Sequence, residues 1–261
     1  DYMLPEAKKP HAVELEKGDL WMDELLAKHS GDPAPQIKPG LEDTALILFS
    51  GGTTGAPKGA MISFRNMVAV ALQSNTWNKS GLMTHNDYTV ALMPMFHAYG
   101  FNGVIASSLA MRSPMAIVAN PRDLDDVIAT IKKVRPASMP GVPTLFIGLM
   151  EHPEVKAGKV DFSCLKFCLS GAIPLMVETR QRWEAMTGAR ILEAYGMTET
   201  TVVLTVGPMQ GQWKEGSVGL PLPDVIIKFM DVTDPDRELP YGQEGEVVAS
   251  GPQIMQGYWN N

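Results

Sequence analysis

From Thr44 to Glu193 short apolar runs alternate with segments of helical periodicity, and this alternation restricts the fold more than any other feature. Ala45-Leu46-Ile47-Leu48-Phe49 is a continuous apolar run, the mark of a strand buried on both faces. Further strands are predicted at Tyr88 to Met93, Met115 to Ala119, near Ser138, Leu165 to Leu169 and Arg190 to Glu193. Helices are predicted between them, over Asn66 to Ser74, Asn102 to Leu109, from Pro143, and over Pro174 to Met186. The clearest helix follows Pro121, with Leu124, Val127, Ile128, Ile131 and Val134 at helical spacing. Asp123, Asp125 and Asp126 lie at its start and Lys132, Lys133 and Arg135 at its end, as the helix dipole favours, and Pro136 stops it. Strands separated by helices imply an α/β fold, a mostly parallel sheet with helices on both faces, binding ligands at the carboxyl ends of its strands.

Either side of this region the texture changes. Residues 1–43 are punctuated by Gly31-Asp32-Pro33 and Pro39-Gly40, with only Leu20 to Lys28 helical, and read as an entry segment draped over the body. Residues 44–215 form the α/β subdomain. From 216 to 261 helical patterns stop, and Val225 to Met230 and Glu244 to Ser250 read as antiparallel strands of a small partial β-barrel.

Composition narrows the chemistry. Lys and Arg number 22 against 29 Asp and Glu, so the net charge is -7, and no basic block offers a groove for nucleic acid. The two cysteines, Cys164 and Cys168, match neither a zinc pattern nor a secreted disulfide framework. No apolar stretch reaches the ~18 residues of a membrane span, and no signal peptide opens the chain, so a cytoplasmic location is expected. The first residue is Asp1, not Met, which reads as a piece of a longer protein.

Ser50-Gly51-Gly52-Thr53-Thr54-Gly55-Ala56-Pro57-Lys58-Gly59 follows the first apolar strand directly. Glycines allow the backbone to approach a ligand closely, Thr53 and Thr54 add hydroxyl donors, and Lys58 adds a positive charge. Those parts suit a polyphosphate. The run is not a Walker A loop, because Ala56 or Pro57 stands where that pattern needs its last glycine. Farther along, Tyr195-Gly196-Met197-Thr198-Glu199-Thr200 follows a predicted strand: a Tyr can stack on a purine, Thr198 can donate to a phosphate oxygen, and Glu199 can hold Mg²⁺. Gly171, Ala172 and Ile173 are small or apolar and leave room for a flat ring beside the backbone.

The ten-residue loop resembles the phosphate-binding signature of the AMP-forming acyl-CoA synthetase and adenylation-domain superfamily. The same order of motifs continues through Met93 to Gly100, Ser170 to Pro174, Tyr195 to Thr200, Gly216 to Pro221, Gly245 to Val248 and Gly257-Tyr258-Trp259-Asn260. The resemblance covers residues 44–261. It implies that Ser50, Gly51, Gly52, Thr53, Thr54, Gly55 and Lys58 clamp the β- and γ-phosphates of ATP. It places Gly171, Ala172, Ile173, Tyr195, Gly196 and Met197 along the adenylate, Thr198 near the α-phosphate, and Mg²⁺ on Glu199 with Thr53. His97, Gly171 and Gly196 fall beside the carboxylate substrate, and Lys58, Thr198 and Glu199 carry the catalytic roles. Met93, Met95 and Phe96 are candidates for one wall of an acyl tunnel, with core packing the commoner explanation for such residues. The phrase Pro94 to Gly100 is similar to the medium- and long-chain fatty-acyl branch. Two departures stand out: Gly51 replaces the signature's usual Ser, and Phe64 stands where the family often has His.

The implied reaction activates a fatty acid with ATP to acyl-AMP and pyrophosphate, then passes the acyl group to coenzyme A. The full-length protein can touch membranes to collect lipid. The ribose-gripping Asp, the hinge and the C-terminal Lys of the family are not assignable within residues 1–261, so this chain alone is expected to be nearly inactive. An aryl-CoA ligase, a luciferase-like enzyme, a peptide-synthetase adenylation domain and a non-catalytic nucleotide- or acyl-binding module remain open alternatives.

Overall fold

The computed structural model describes residues 16–33, 35–50, 57–78 and 83–260. The chain divides into two compact units, Asp1–Pro39 and Gly40–Asn261. In the first, helix α1 (Met22–Lys28) carries Asp23 and Glu24 in its opening turn and Lys28 in its last, and buries no residue.

The second unit begins with a hairpin. β1 (Thr44–Ser50) pairs antiparallel with β2 (Lys58–Ser63), placing Ser50 opposite Lys58. This departs from the burial expected of the first apolar run. Leu48 packs inward with Ile62 and Ala98, but Phe49, on the other face of the hairpin, is 62% exposed. Helix α2 (Phe64–Trp77) leaves β2 through a capping box, in which the Asn66 N–H donates to Ser63 Oγ and the Ser63 N–H to Asn66 Oδ1.

Seven further strands form the main sheet, in the order β4-β3-β5-β6-β7-β8-β9. β3 (Thr89–Ala91), β4 (Met115–Ile117), β5 (Ser138–Gly141), β6 (Phe167–Ser170) and β7 (Arg190–Tyr195) run parallel, as the alternating pattern requires. β8 (Thr205–Val206) turns back on β7, and β9 (Leu220–Pro221) pairs antiparallel with β8. Between the parallel strands lie α4 (Leu124–Val134), α5 (Pro143–Glu151), α6 (Pro153–Lys156) and α7 (Val177–Thr187). The Asp123 side chain caps α4 by accepting from the Asp126 N–H, and Pro143 takes the first position of α5, where no hydrogen bond is forgone.

Consecutive residues of β7 show why the sheet needs cover on both faces. Ile191 joins the core made with α4, α5 and α7, whereas Leu192 packs with Val70 of α2 and Val206. Trp183 of α7 anchors the first core, with Phe146 and Phe162 edge-on at 5.1 and 5.4 Å. Past the sheet, β10 (Ile226–Met230) and β11 (Glu246–Ser250) form a separate antiparallel pair. The chain then returns, and β12 (Gly257–Tyr258) adds to the free edge of β2. No helix among the described residues is long and apolar enough to cross a membrane.

One element differs in kind from the sequence expectation. The helix predicted from Asn102 starts earlier, as a π-helix over Tyr99–Ala106, before α3 (Ser107–Met111). Its start is pinned from outside: the Tyr99 hydroxyl donates to the Leu169 carbonyl at 3.0 Å, and a Cβ on Gly100 would collide with the Pro94 carbonyl. Wide helical turns of this sort concentrate at functional sites.

Candidate active site

A cavity of 680 Å³ opens at the carboxyl ends of β6 and β7. Four stretches of chain contribute to its walls, along with Ser74 of α2, Gly103, Val202, Val203 and Val206. Ser50 ends β1, His97 to Tyr99 open the π-helix, Gly171 and Ala172 follow β6, and Gly196 to Glu199 follow β7. Parallel strands deliver their loops to one edge of the sheet, so residues far apart in sequence meet there.

The turn bearing Thr198 and Glu199 is a single 3-10 turn, Thr198–Thr200. The Thr200 hydroxyl donates to the Met197 carbonyl at 2.9 Å, and the Met197 N–H donates to Thr200 Oγ1 at 3.0 Å. From the returning chain, the Met255 N–H donates to the Glu199 carbonyl at 2.9 Å, and the Thr201 hydroxyl donates to the Gln253 carbonyl at 2.6 Å. These bonds fix the turn so that the Glu199 carboxylate projects toward the β1–β2 hairpin.

Tyr258 meets it there. Its hydroxyl donates to Glu199 Oε1 at 2.7 Å, while the Lys58 ammonium lies 5.1 Å from the centre of the same ring, a cation–π distance. Lys58 and Glu199 therefore lie on one side of the molecule, joined through a single aromatic side chain. The hydrogen bond to Glu199 pushes the Tyr258 hydroxyl above its ordinary pKa, so it stays a donor at neutral pH. Burial likewise raises the Tyr99 hydroxyl, which remains protonated against the Leu169 carbonyl.

Other side chains set the walls. His97 Nδ1 accepts from the Tyr99 N–H at 3.1 Å, which holds its ring in the cavity wall. Ala172 holds a left-handed backbone, φ 69°, a conformation that costs a non-glycine residue about 1–2 kcal/mol and keeps only a methyl group beside the cavity. Gly196 passes so close to Val202 that no Cβ fits.

Among the residues singled out by sequence, Ser50, His97, Gly171, Ala172, Gly196, Met197, Thr198 and Glu199 line this cavity. Ile173 does not: it is 57% exposed beyond the β6 loop. Tyr195 ends β7, paired with Thr205, and is not among the lining residues. Gly51, Gly52, Thr53, Thr54 and Gly55 lie outside the described residues. The supposed methionine wall is not formed as one surface. Met93 is buried in the core, Met95 packs against it, and Phe96 is 84% exposed. Tyr258, Tyr99 and Gly103 were not assigned roles from sequence. The Gly257-Tyr258-Trp259 motif was visible, but its two-residue strand carries no periodic signal of its partner.

The arrangement sets one ammonium and one carboxylate around a single tyrosine beside the cavity. An ammonium and a threonine hydroxyl suit phosphate oxygens. Glu199 offers hard oxygen donors of the kind Mg²⁺ takes, and among the described residues only its Oε1 has a hydrogen bond, so Oε2 fits a cation.

Comparison with known proteins identifies the family. A family model described as AMP-binding enzyme matches residues 3–259. A long-chain-fatty-acid–CoA ligase of Escherichia coli O6:H1 is 34% identical over 235 residues, 89% of this chain and 41% of that protein. Its counterpart in Bacillus subtilis is 35% identical over 229 residues, 87% of this chain and 39% of that protein. The chain thus spans about two fifths of the length of these curated relatives. The crystal structure of ATP-bound MatB from Rhodopseudomonas palustris superposes with a TM-score of 0.73 at 32% identity, covering 86% of this chain and 42% of that one. With residues 3–259 matched by one family model, the chain belongs to the AMP-binding enzyme family.

Proposed function

We propose that this chain is the nucleotide- and acyl-binding part of an AMP-forming acyl-CoA ligase that acts on a fatty acid. The observation that carries the reading is the convergence of Lys58 and Glu199 on Tyr258 beside a cavity lined by Thr198, Gly171 and His97. In the first step a carboxylate oxygen attacks the α-phosphorus of ATP. The P–O bond to pyrophosphate breaks as the new acyl–phosphate bond forms. In the second step the sulfur of coenzyme A attacks the acyl carbonyl and AMP leaves.

Such a reaction requires positioning and charge neutralisation more than a nucleophilic side chain. Thr198 donates to the α-phosphate, and Lys58, with the donors of residues 50–55, neutralises the β- and γ-phosphates. When bound, Mg²⁺ on Glu199, with Thr53, supplies Lewis-acid neutralisation of the phosphoryl oxygens. The adenine and ribose lie along Gly171, Ala172 and Gly196, where small side chains leave room for a flat ring. Within this reading, residues 44–215 form the nucleotide- and acyl-binding subdomain and 216–261 part of a small β-barrel. The free thiols Cys164 and Cys168 support a cytoplasmic location.

The test is ATP–pyrophosphate exchange by the full-length protein with octanoate, palmitate, benzoate and an amino acid. Exchange with the fatty acids, reduced roughly 100-fold or more in Lys58→Ala, is the expected result. Exchange driven by benzoate or the amino acid alone would replace the fatty-acyl reading, and ATP binding without exchange on any acid would replace the ligase reading.

A further inference from the structure

The segment Met255 to Trp259 lies between the two halves of the phosphate site and is bonded to both. On one side the Met255 N–H donates to the Glu199 carbonyl. On the other, Tyr258 pairs with Ala60 in β2, and the Trp259 N–H donates to the Gly59 carbonyl at 2.7 Å, next to Lys58. Any residue but proline at position 258 could make the strand pairing. Only a tyrosine supplies what the structure adds to it: a hydroxyl 2.7 Å from Glu199 Oε1 and a ring face 5.1 Å from the Lys58 ammonium.

The two contacts serve one geometry. A carboxylate on a short turn has several rotamers, and a hydroxyl donating to one oxygen selects the rotamer that turns the other oxygen outward. Outer partners of this kind govern how well a carboxylate holds a cation. The ring, meanwhile, keeps a long lysine side chain over the same patch without neutralising its charge, so the ammonium stays available to an anion. A direct Lys58–Glu199 ion pair would instead cancel both charges.

We propose that Tyr258 is a positioning residue of the nucleotide site, its hydroxyl orienting Glu199 toward a divalent cation and its ring holding Lys58 ready for the accompanying polyphosphate. The inference rests on the ligase reading above, and its test separates the two. Mn²⁺ binding to the full-length protein saturated with ATP is followed by electron paramagnetic resonance for the wild type, Tyr258→Phe, Glu199→Gln and the double variant, each shown folded by near-UV circular dichroism. Tyr258→Phe keeps the ring and is expected to weaken Mn²⁺ binding about 10-fold, whereas in the Glu199→Gln background the same change is expected to add nothing. Tyr258→Leu, which also removes the ring, is expected to weaken metal-free ATP binding as well, and Tyr241→Phe, at a fully exposed position, serves as the unaffected control. Wild-type affinity in Tyr258→Phe, or an equal loss with and without the Glu199 carboxylate, overturns the positioning role and leaves the ligase reading standing. Failure of the wild type to take up Mn²⁺ with ATP overturns both.

Discussion

Gly196 shows how little latitude individual positions have around the cleft. A Cβ there would collide with the Val202 carbonyl and come within 2.5 Å of the Val203 Cα, both backbone atoms that have no rotamer to escape into. Gly196→Ala is expected to destabilise the protein by about 1–3 kcal/mol in urea unfolding and to displace the Thr198–Glu199 turn. Cys168 makes a contrasting prediction. It is fully buried, and burial raises its thiol well above the usual range; burial also raises the thiol of Cys164, which is only partly covered. A thiol-specific disulfide reagent is therefore expected to modify Cys164 slowly in the native protein and Cys168 only on unfolding; equal rates in the native state would contradict the packing described. At this scale the sequence is informative where chemistry is contiguous. Thr198 and Glu199 share one loop, and Gly171 and Ala172 another, so their residue types alone suggest a phosphate site and a ring-sized gap. Tyr258 is opaque for the opposite reason. Its partner lies 59 residues away, and neither charge nor spacing signals a contact that exists only because β12 folds back onto β2.

Elements were legible in proportion to the strength of their local signals. α4 carries the fullest set, an aspartate cap, acids first, bases last and Val127, Ile128 and Ile131 buried along one stripe, and it forms where those signals place it. Asp123→Ala should cost about 1 kcal/mol by thermal or urea unfolding, since the Asp126 N–H loses its acceptor. Trp183 at the heart of α7 should cost far more: its replacement by Ala is expected to remove about 3–5 kcal/mol, with two aromatic neighbours left facing a void. β1 shows where the period-based argument fails. A continuous apolar run fits a strand covered on both faces, yet this one pairs in a hairpin, burying Leu48 and leaving Phe49 largely exposed. The π-helix was misplaced because its start is dictated by Tyr99 reaching Leu169 on another strand, a constraint that helical periodicity does not encode.

At the scale of the second unit, the parallel order of β3 to β7 gathers the cleft, and the two-residue strand β12 returns to the edge of β2 to bring Tyr258 onto Glu199. Strands β6 and β7 bring Gly171 and Thr198 to the same edge, while the hairpin of a separate three-stranded sheet supplies Ser50 to the cavity and carries Lys58 opposite it. An acidic chain of net charge -7 attracts no polyanion by overall field, so any affinity for a nucleotide must come from this local set of donors and cations. The most direct test is a crystal structure of the full-length protein with Mg²⁺ and α,β-methylene-ATP. The account predicts the triphosphate lying between the Lys58 ammonium and the Glu199 carboxylate, with the α-phosphate at Thr198. A nucleotide bound elsewhere, with Lys58 and Glu199 still facing only Tyr258, would contradict it.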